Sequence, residues 1–126
     1  MNKTSFLILR VGLAITFIWV SVLIFRQPET WGSLIQPWAL KLLPIPLVQI
    51  MMGTALLDMV IGILFFFGRT AWIAGLLGFL HLVTVLVATG INDITVRDIG
   101  LLAASLAVMI TSLPPSVRNL FAKTRI

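Results

Sequence analysis

The run from Leu47 to Gly68, LVQIMMGTALLDMVIGILFFFG, limits what this chain can fold into more than any other stretch. It has 22 residues, nearly all apolar, with one charged residue, Asp58, near its middle. A helix rises about 1.5 Å per residue and the hydrocarbon core of a bilayer is about 30 Å thick, so this run is long enough to cross a membrane. Asp58 would then lie near the midplane, where a carboxylate needs a partner, a proton or a water-filled cavity.

Composition places the whole chain in the membrane class. Of its 126 residues, 60% are hydrophobic and 10% are charged, whereas an average soluble domain is about 25% charged. The absence of cysteine excludes disulfides, CxxC redox motifs and zinc–thiolate sites formed by this chain. Most basic residues flank apolar runs, so the net charge of +5 indicates topology. We therefore expect a bilayer environment, no metal site and no nucleic-acid partner.

Three further apolar runs predict spanning helices, at residues 5–25, 71–89 and 94–113. With 47–68 they predict an all-α fold, a four-helix transmembrane bundle forming a single domain over residues 1–126. The first run exceeds the length of a signal-peptide core and no small-residue cleavage site follows it, so we expect it to be retained.

The segment at 26–46 is too polar and too rich in proline to span. Its apolar residues Trp31, Leu34, Ile35, Trp38 and Leu42 follow the spacing of one helical face. Proline suits a helix start, so Pro28 and Pro37 predict two short helical pieces at the membrane interface. This segment is either an anchoring loop or a lid over a pocket between the helices.

The distribution of positive charge predicts the orientation of the chain. Four spans place both termini on one side, together with Lys3, Arg69 and the basic tail at 114–126. The opposite loops carry only Arg26 and Lys41. By the positive-inside rule, both termini are then cytoplasmic.

The polar residues inside the predicted spans fall on faces rich in small residues, through which membrane helices pack. Arg97 shares a stripe with Gly100 and Ala104, which predicts that Arg97 points into the bundle, and Asp98 flanks the start of its helix. Depth below the cytoplasmic surface can be counted along each helix at about 1.5 Å per residue. By this count Asp58 and His81 lie at nearly the same depth, and Arg10 lies about 6 Å closer to the surface. Since an arginine can reach across such a gap, the expected order of partners for Asp58 is Arg10, then His81, then Arg97.

Three chemistries could use this cluster. A carboxylate and an imidazole can relay a proton, a histidine near tryptophan can hydrogen-bond a quinone carbonyl, and a charged pair can bind a small polar solute. Alternatively, Asp58 and Arg10 form a buried ion pair that fixes helix register, and such pairs are weak indicators of function.

Four segments of the chain carry a family resemblance: LRVGLAITFIWVSVLIF at 9–25, the tryptophan-containing Pro-Glu loop after it, LLDMVIGILFFFG at 56–68 and VRDIGLLAASLAVMI at 96–110. Together they resemble the DoxX-like family of small integral membrane proteins. Asp58 stands where relatives carry Glu, and Ser21 and Phe25 or Arg26 stand where they carry Gly and Lys.

The resemblance implies a four-helix bundle in a prokaryotic inner membrane. Some relatives are membrane subunits of quinone-linked sulfur oxidoreductases or redox-defence complexes. The family's functional residues map to Arg10, Asp58, Arg97 and Asp98. The resemblance thus favours an accessory subunit with a quinone or other small-molecule pocket and a partner on the Trp31 and Trp38 side.

Two alternatives remain open. One is a small permease or proton-linked carrier working as a homo-oligomer, because four helices enclose only a narrow interior. The other is a ligand-free scaffold for membrane assembly. No autonomous catalytic motif is present in the sequence.

Overall fold

The computed structural model describes residues 1–123, and every regular element in that range is a helix, as the sequence predicts. The helices are α1 (Lys3–Arg26), α2 (Pro28–Gly32), α3 (Pro37–Leu40), α4 (Leu47–Phe66), α5 (Ala71–Thr89), α6 (Arg97–Ser112) and α7 (Pro115–Lys123). Pro28 and Pro37 each begin a short helix, where a missing N–H leaves no hydrogen bond unmade.

Three of these helices, α1, α4 and α5, are long and apolar enough to cross a membrane, with 24, 20 and 19 residues. They make the chain a membrane protein. The fourth predicted span, 94–113, is a helix of 16 residues that begins only at Arg97. The reason is local: the Asn92 side chain accepts hydrogen bonds from the backbone N–H groups of Ile94 and Thr95, which holds them in a turn. The membrane crossing of α6 stays a prediction.

The long helices pack as two close pairs, α1 with α4 and α5 with α6. Small residues permit the close approach. A Cβ atom at Gly62 of α4 would lie 3.0 Å from the carbonyl oxygen of Ala14, and one at Gly75 of α5 would lie 2.6 Å from that of Ser105. Contacts between the two pairs are fewer, along the α4–α5 and α1–α6 seams.

One end of the molecule holds the main core. It is the hairpin end, named for the turn at 67–70 that joins α4 to α5. The Phe17 and Phe65 rings lie 5.6 Å apart there. Around them are buried Leu13, Ala14, Ile61, Ala71, Ala74, Leu82 and Val108. This packing closes the interior of the bundle at the hairpin end.

The other end, called the cap end, is covered by the segment 27–46 that contains α2 and α3. Its backbone is tied to α5, because the N–H of Gln36 donates to the carbonyl oxygen of Ala88 at 2.9 Å. Gly90 follows α5 with φ of +71°, and its α-carbon lies so close to the Gln36 side chain that a Cβ would collide with it. The segment also packs against the other helix pair, through contacts of α2 with α4 and α1.

The predicted basic tail at 114–126 contains the short helix α7. Leu113 and Pro114 separate it from α6, and Pro115 is its first residue, a position that suits proline. Residues 124–126, including Arg125, lie outside the described residues.

Candidate functional site

The Asp58 carboxylate is hydrogen-bonded to the His81 imidazole. His81 Nε2 donates to Asp58 Oδ1 at 3.0 Å, and the two side chains are only 11% and 6% exposed, respectively. Both residues lie near the middle of their helices, α4 and α5. A charged or polar group at such a depth is expected to be paired, and this pair satisfies that requirement across the α4–α5 seam.

The predicted order of partners for Asp58 is wrong, because Arg10 is engaged elsewhere. Arg10 Nη1 donates to the carbonyl oxygen of Phe66 at 2.8 Å, at the last residue of α4. Its guanidinium carbon also lies 5.7 Å from the centre of the Phe6 ring. The C-terminal carbonyls of a helix have no partner inside the helix, so a cation there is favourable. Arg10 thus holds α1 to the end of α4.

Arg97 lies at the edge of the interior space between the two helix pairs, which it helps to line. Arg97 is exposed, and its Nε donates to the carbonyl oxygen of Ile94 at 3.3 Å. The buried face of α6 is instead the one that carries Ser105 and Val108. Asp98 is half-buried and interacts electrostatically with Arg97, Asp58 and His81. Asp98 therefore belongs to the polar cluster, and Arg97 lies at its edge.

A cavity of about 1110 Å³ lies between the two helix pairs in the cap-end half of the molecule. Ligand pockets are commonly about 300–1,000 Å³, so there is room for a sizeable ligand. Apolar side chains form most of the wall. Its polar members are Thr16, Thr54, Asp58, His81, Thr84, Thr89, Thr95, Arg97 and Asp98.

The Asp58–His81 pair lies deep in this cavity. Asp58 and His81 are the lining residues of α4 and α5 that lie farthest from the cap end. Past them lies the close-packed core around Phe17 and Phe65. The ionisable pair therefore forms the inner end of an otherwise mainly apolar chamber.

The threonines on the wall already donate their hydroxyl hydrogens to backbone carbonyl oxygens of this chain. Thr16, Thr54 and Thr84 each donate to the carbonyl oxygen four residues earlier. The groups left to recognise the polar part of a ligand are Asp58, His81, Asp98 and Arg97.

The tryptophans of the cap segment have different positions. Trp31 lines the cavity with Leu34, Ile35, Ala39 and Leu43. Trp38 is 48% exposed, and its Nε1 donates to Gln36 Oε1 at 2.6 Å. Trp38 is absent from the cavity wall, so the cap presents one tryptophan to the cavity and one to the surroundings.

No protein-family model, curated protein or solved structure matches this chain. The same helical fold can serve unrelated activities, so function must be inferred from the site itself. Within residues 1–123, no group of three or more histidine, aspartate and glutamate side chains is placed to hold a metal ion.

Several lining residues carry no signal in the sequence, among them Trp19, Gly53 and Leu57. They sit in apolar runs that look like ordinary membrane-facing sequence. They line a cavity because the two helix pairs separate toward the cap end, and no local sequence signal reports such a separation.

Proposed function

We propose that this chain is a DoxX-like membrane protein that binds a quinone, or a lipophilic molecule with a similar polar head, in the cap-end cavity. One observation carries the proposal: the hydrogen-bonded Asp58–His81 pair forms the inner end of a large, mainly apolar cavity. Binding sites for small molecules are typically apolar with a few placed polar groups, and this cavity has that composition.

The pair suits a carbonyl-bearing head. Neutral imidazole has one N–H donor, whereas imidazolium has two. Nε2 is committed to Asp58, and within the described residues His81 makes no other hydrogen bond. A hydrogen bond from His81 to a ligand carbonyl oxygen uses the Nδ1–H of the imidazolium form, which has a donor on each ring nitrogen. Asp58 holds the other ring nitrogen and thereby orients His81.

We further propose that the chain acts as an accessory subunit. It has no cysteine, so it cannot itself exchange thiols and disulfides. In the proposed arrangement it spans a prokaryotic inner membrane four times with both termini in the cytoplasm, and a partner subunit supplies the redox chemistry. Intact-particle mass spectrometry after purification from native membranes tests for that partner.

Ligand binding is best tested with purified protein in nanodiscs and a benzoquinone that carries one isoprenoid unit. Trp31 on the cavity wall provides a fluorescence signal that a bound quinone quenches. We expect saturable quenching, and at least a tenfold loss of affinity in His81→Leu, which corresponds to about 1.4 kcal/mol. Asp58→Asn should weaken binding less, because an amide oxygen still accepts from His81 Nε2.

The matched control is Asp93→Asn, which neutralises an exposed carboxylate outside the cavity wall. It should leave the affinity unchanged. Absence of saturable quenching in the wild type, or equal affinity in His81→Leu, would show that the cavity does not recognise quinones through this pair.

A proton-linked carrier is the second candidate, favoured by the same hydrogen bond. A carboxylate and an imidazole in contact at mid-helix can pass a proton between them, and both line the cavity. In this case Asp58→Asn abolishes proton flux in proteoliposomes that contain a pH-sensitive dye. Unchanged flux in Asp58→Asn would remove this candidate.

A further inference from the structure

The two seams between the helix pairs are the sides on which the cavity is not closed by packing. Its inner end is blocked by the core around Phe17 and Phe65, and its cap end is covered by the segment that contains Trp31 and Ala39. Several residues nevertheless line the cavity and are exposed on the outer surface. They are therefore edges of openings in the side of the molecule.

The exposed lining residues fall into two sets, one for each seam. Ile15 and Trp19 of α1, which are 52% and 67% exposed, belong to the α1–α6 seam together with Gly100 of α6. Gly53 and Leu57 of α4 belong to the α4–α5 seam together with Thr84. Because α1, α4 and α5 are membrane-compatible helices, both openings face hydrocarbon when the helices span.

The α1–α6 seam has a feature that extends the cavity. A shallow groove runs along it toward the hairpin end, lined by Ile8, Leu9, Gly12, Leu13, Thr16, Leu101 and Ala104. Thr16 and Leu101 line both the groove and the cavity, so the two spaces meet at these residues. The groove has a volume of about 310 Å³, which suits an apolar chain.

Gly12 keeps this groove open. A Cβ atom there would have no neighbouring heavy atom within 4 Å, whereas one at Gly62 or Gly75 would collide with a neighbouring helix. Gly12 therefore does not serve helix packing within the chain. Its missing side chain leaves space on the seam.

We propose that the α1–α6 seam is the lateral portal of the cavity, and that the apolar tail of the bound molecule leaves through it and lies in the Gly12 groove. This proposal rests on the proposed function and describes the ligand more specifically. The ligand has a compact polar head at Asp58 and His81 and a long prenyl or acyl tail. A tail of this kind enters from the bilayer, without passing through water or through the cap segment.

The test combines two changes, the length of the probe's apolar tail and a substitution that fills the Gly12 groove. The probes are two benzoquinones with identical heads, one with a single isoprenoid unit and one with several, measured by tryptophan quenching in nanodiscs. A phenylalanine at position 12 occupies the groove, and position 12 itself is not part of the cavity wall. Gly12→Phe should weaken the long-tailed probe about fivefold, equivalent to about 1 kcal/mol, and leave the short-tailed probe unchanged.

Two control variants separate this effect from general damage. Gly12→Ala adds only a Cβ into open space, and Val22→Phe adds an aromatic ring on an exposed position of α1 outside both the groove and the cavity. Both should bind the two probes as the wild type does. Thermal unfolding of each variant confirms that the fold is retained.

The outcomes distinguish the portal from the proposed function. If the wild type binds neither probe, the proposed function fails and the portal fails with it. If the wild type binds both probes and Gly12→Phe weakens both equally, or neither, the tail does not lie in the groove and the portal alone is overturned. A shift of Gly12→Phe to a different oligomeric state would show that the groove is instead a contact between copies of this chain.

Discussion

Arg10 and Phe66 are joined by a hydrogen bond of 2.8 Å, from the guanidinium of α1 to the last carbonyl of α4. The bond links two helices that are 56 residues apart at this point in the chain. It also explains why Arg10 is not the partner of Asp58. The positive charge is used to complete a helix terminus, and Asp58 is left to the imidazole of His81.

Arg10→Ala should therefore lower stability and leave ligand binding intact. A hydrogen bond from a charged group contributes about 1.5–3 kcal/mol, so we expect a loss in the free energy of unfolding within that range. Unfolding in detergent micelles measures it. Arg26→Ala, at the exposed opposite end of α1, is the matched control and should change little. A loss of quinone affinity in Arg10→Ala as large as in His81→Leu would contradict this assignment.

The Asp58–His81 pair should show energetic coupling in a double-mutant cycle. Either alanine substitution leaves the other side chain unpaired, so each single variant is destabilised. The double variant should be more stable than the sum of the single losses predicts, by about 1 kcal/mol; coupling between polar pairs in membrane proteins averages about 0.6 and reaches about 1.7 kcal/mol. If the loss in the double variant equals the sum of the two single losses in unfolding free energy, the two side chains do not stabilise each other.

Alanine substitution should lower the stability of the protein at Gly75 and raise it at Gly53. At Gly75 the added Cβ would lie 2.6 Å from the Ser105 carbonyl oxygen and 2.7 Å from the Met109 nitrogen, and backbone atoms cannot easily yield. We expect a loss of about 1–3 kcal/mol from overpacking. Gly53 has nothing within 4 Å of that position, so Gly53→Ala should gain about 0.5–1 kcal/mol from helix propensity. Thermal unfolding followed by tryptophan fluorescence compares the two; similar shifts would contradict the α5–α6 contact.

Single cysteines can establish whether α6 crosses the membrane, since the natural chain has none. Thr4→Cys, Lys41→Cys and Asn119→Cys place a thiol at exposed positions near the two termini and in the cap segment. In intact cells an impermeant maleimide should label only Lys41→Cys, because basic residues favour the cytoplasmic side. Labelling of Asn119→Cys without permeabilisation would mean three spans and a C terminus on the opposite side.

The positions of the long helices can be predicted from the sequence, whereas the contacts between helices cannot. Apolar length and the bounding prolines and glycines place α1, α4 and α5 close to their observed limits, because the bilayer imposes a minimum span. The start of α6 was missed because the Asn92 side chain captures backbone N–H groups that a longer helix would use. This competition between the Asn92 side chain and the helix for backbone N–H groups is local. In the sequence, however, it looks the same as an ordinary turn.

Of the predicted site residues, the structure brings Asp58 and His81 together and places Arg10 apart from them. Depth along the helix brought Asp58 and His81 to the same level, but depth does not specify which helix faces which. The rotation of α6 was also inferred from the Gly100 stripe, whereas the buried stripe carries Ser105. Small residues mark close approach only where another helix is present, and Gly100 borders a cavity instead.

The two close helix pairs have one further consequence. The chain passes from one pair to the other only through the turn at 67–70, while at the opposite end the Gln36–Ala88 hydrogen bond links them without a covalent connection. The turn therefore fixes the spacing of the pairs at one end, and toward the cap end this spacing depends on noncovalent contacts such as the Gln36–Ala88 and Asp58–His81 hydrogen bonds. We expect that loss of these contacts allows the pairs to tilt apart about the turn while each keeps its internal contacts. Spectroscopic labels at the cap end would then report a variable distance, and labels beside the turn a constant one.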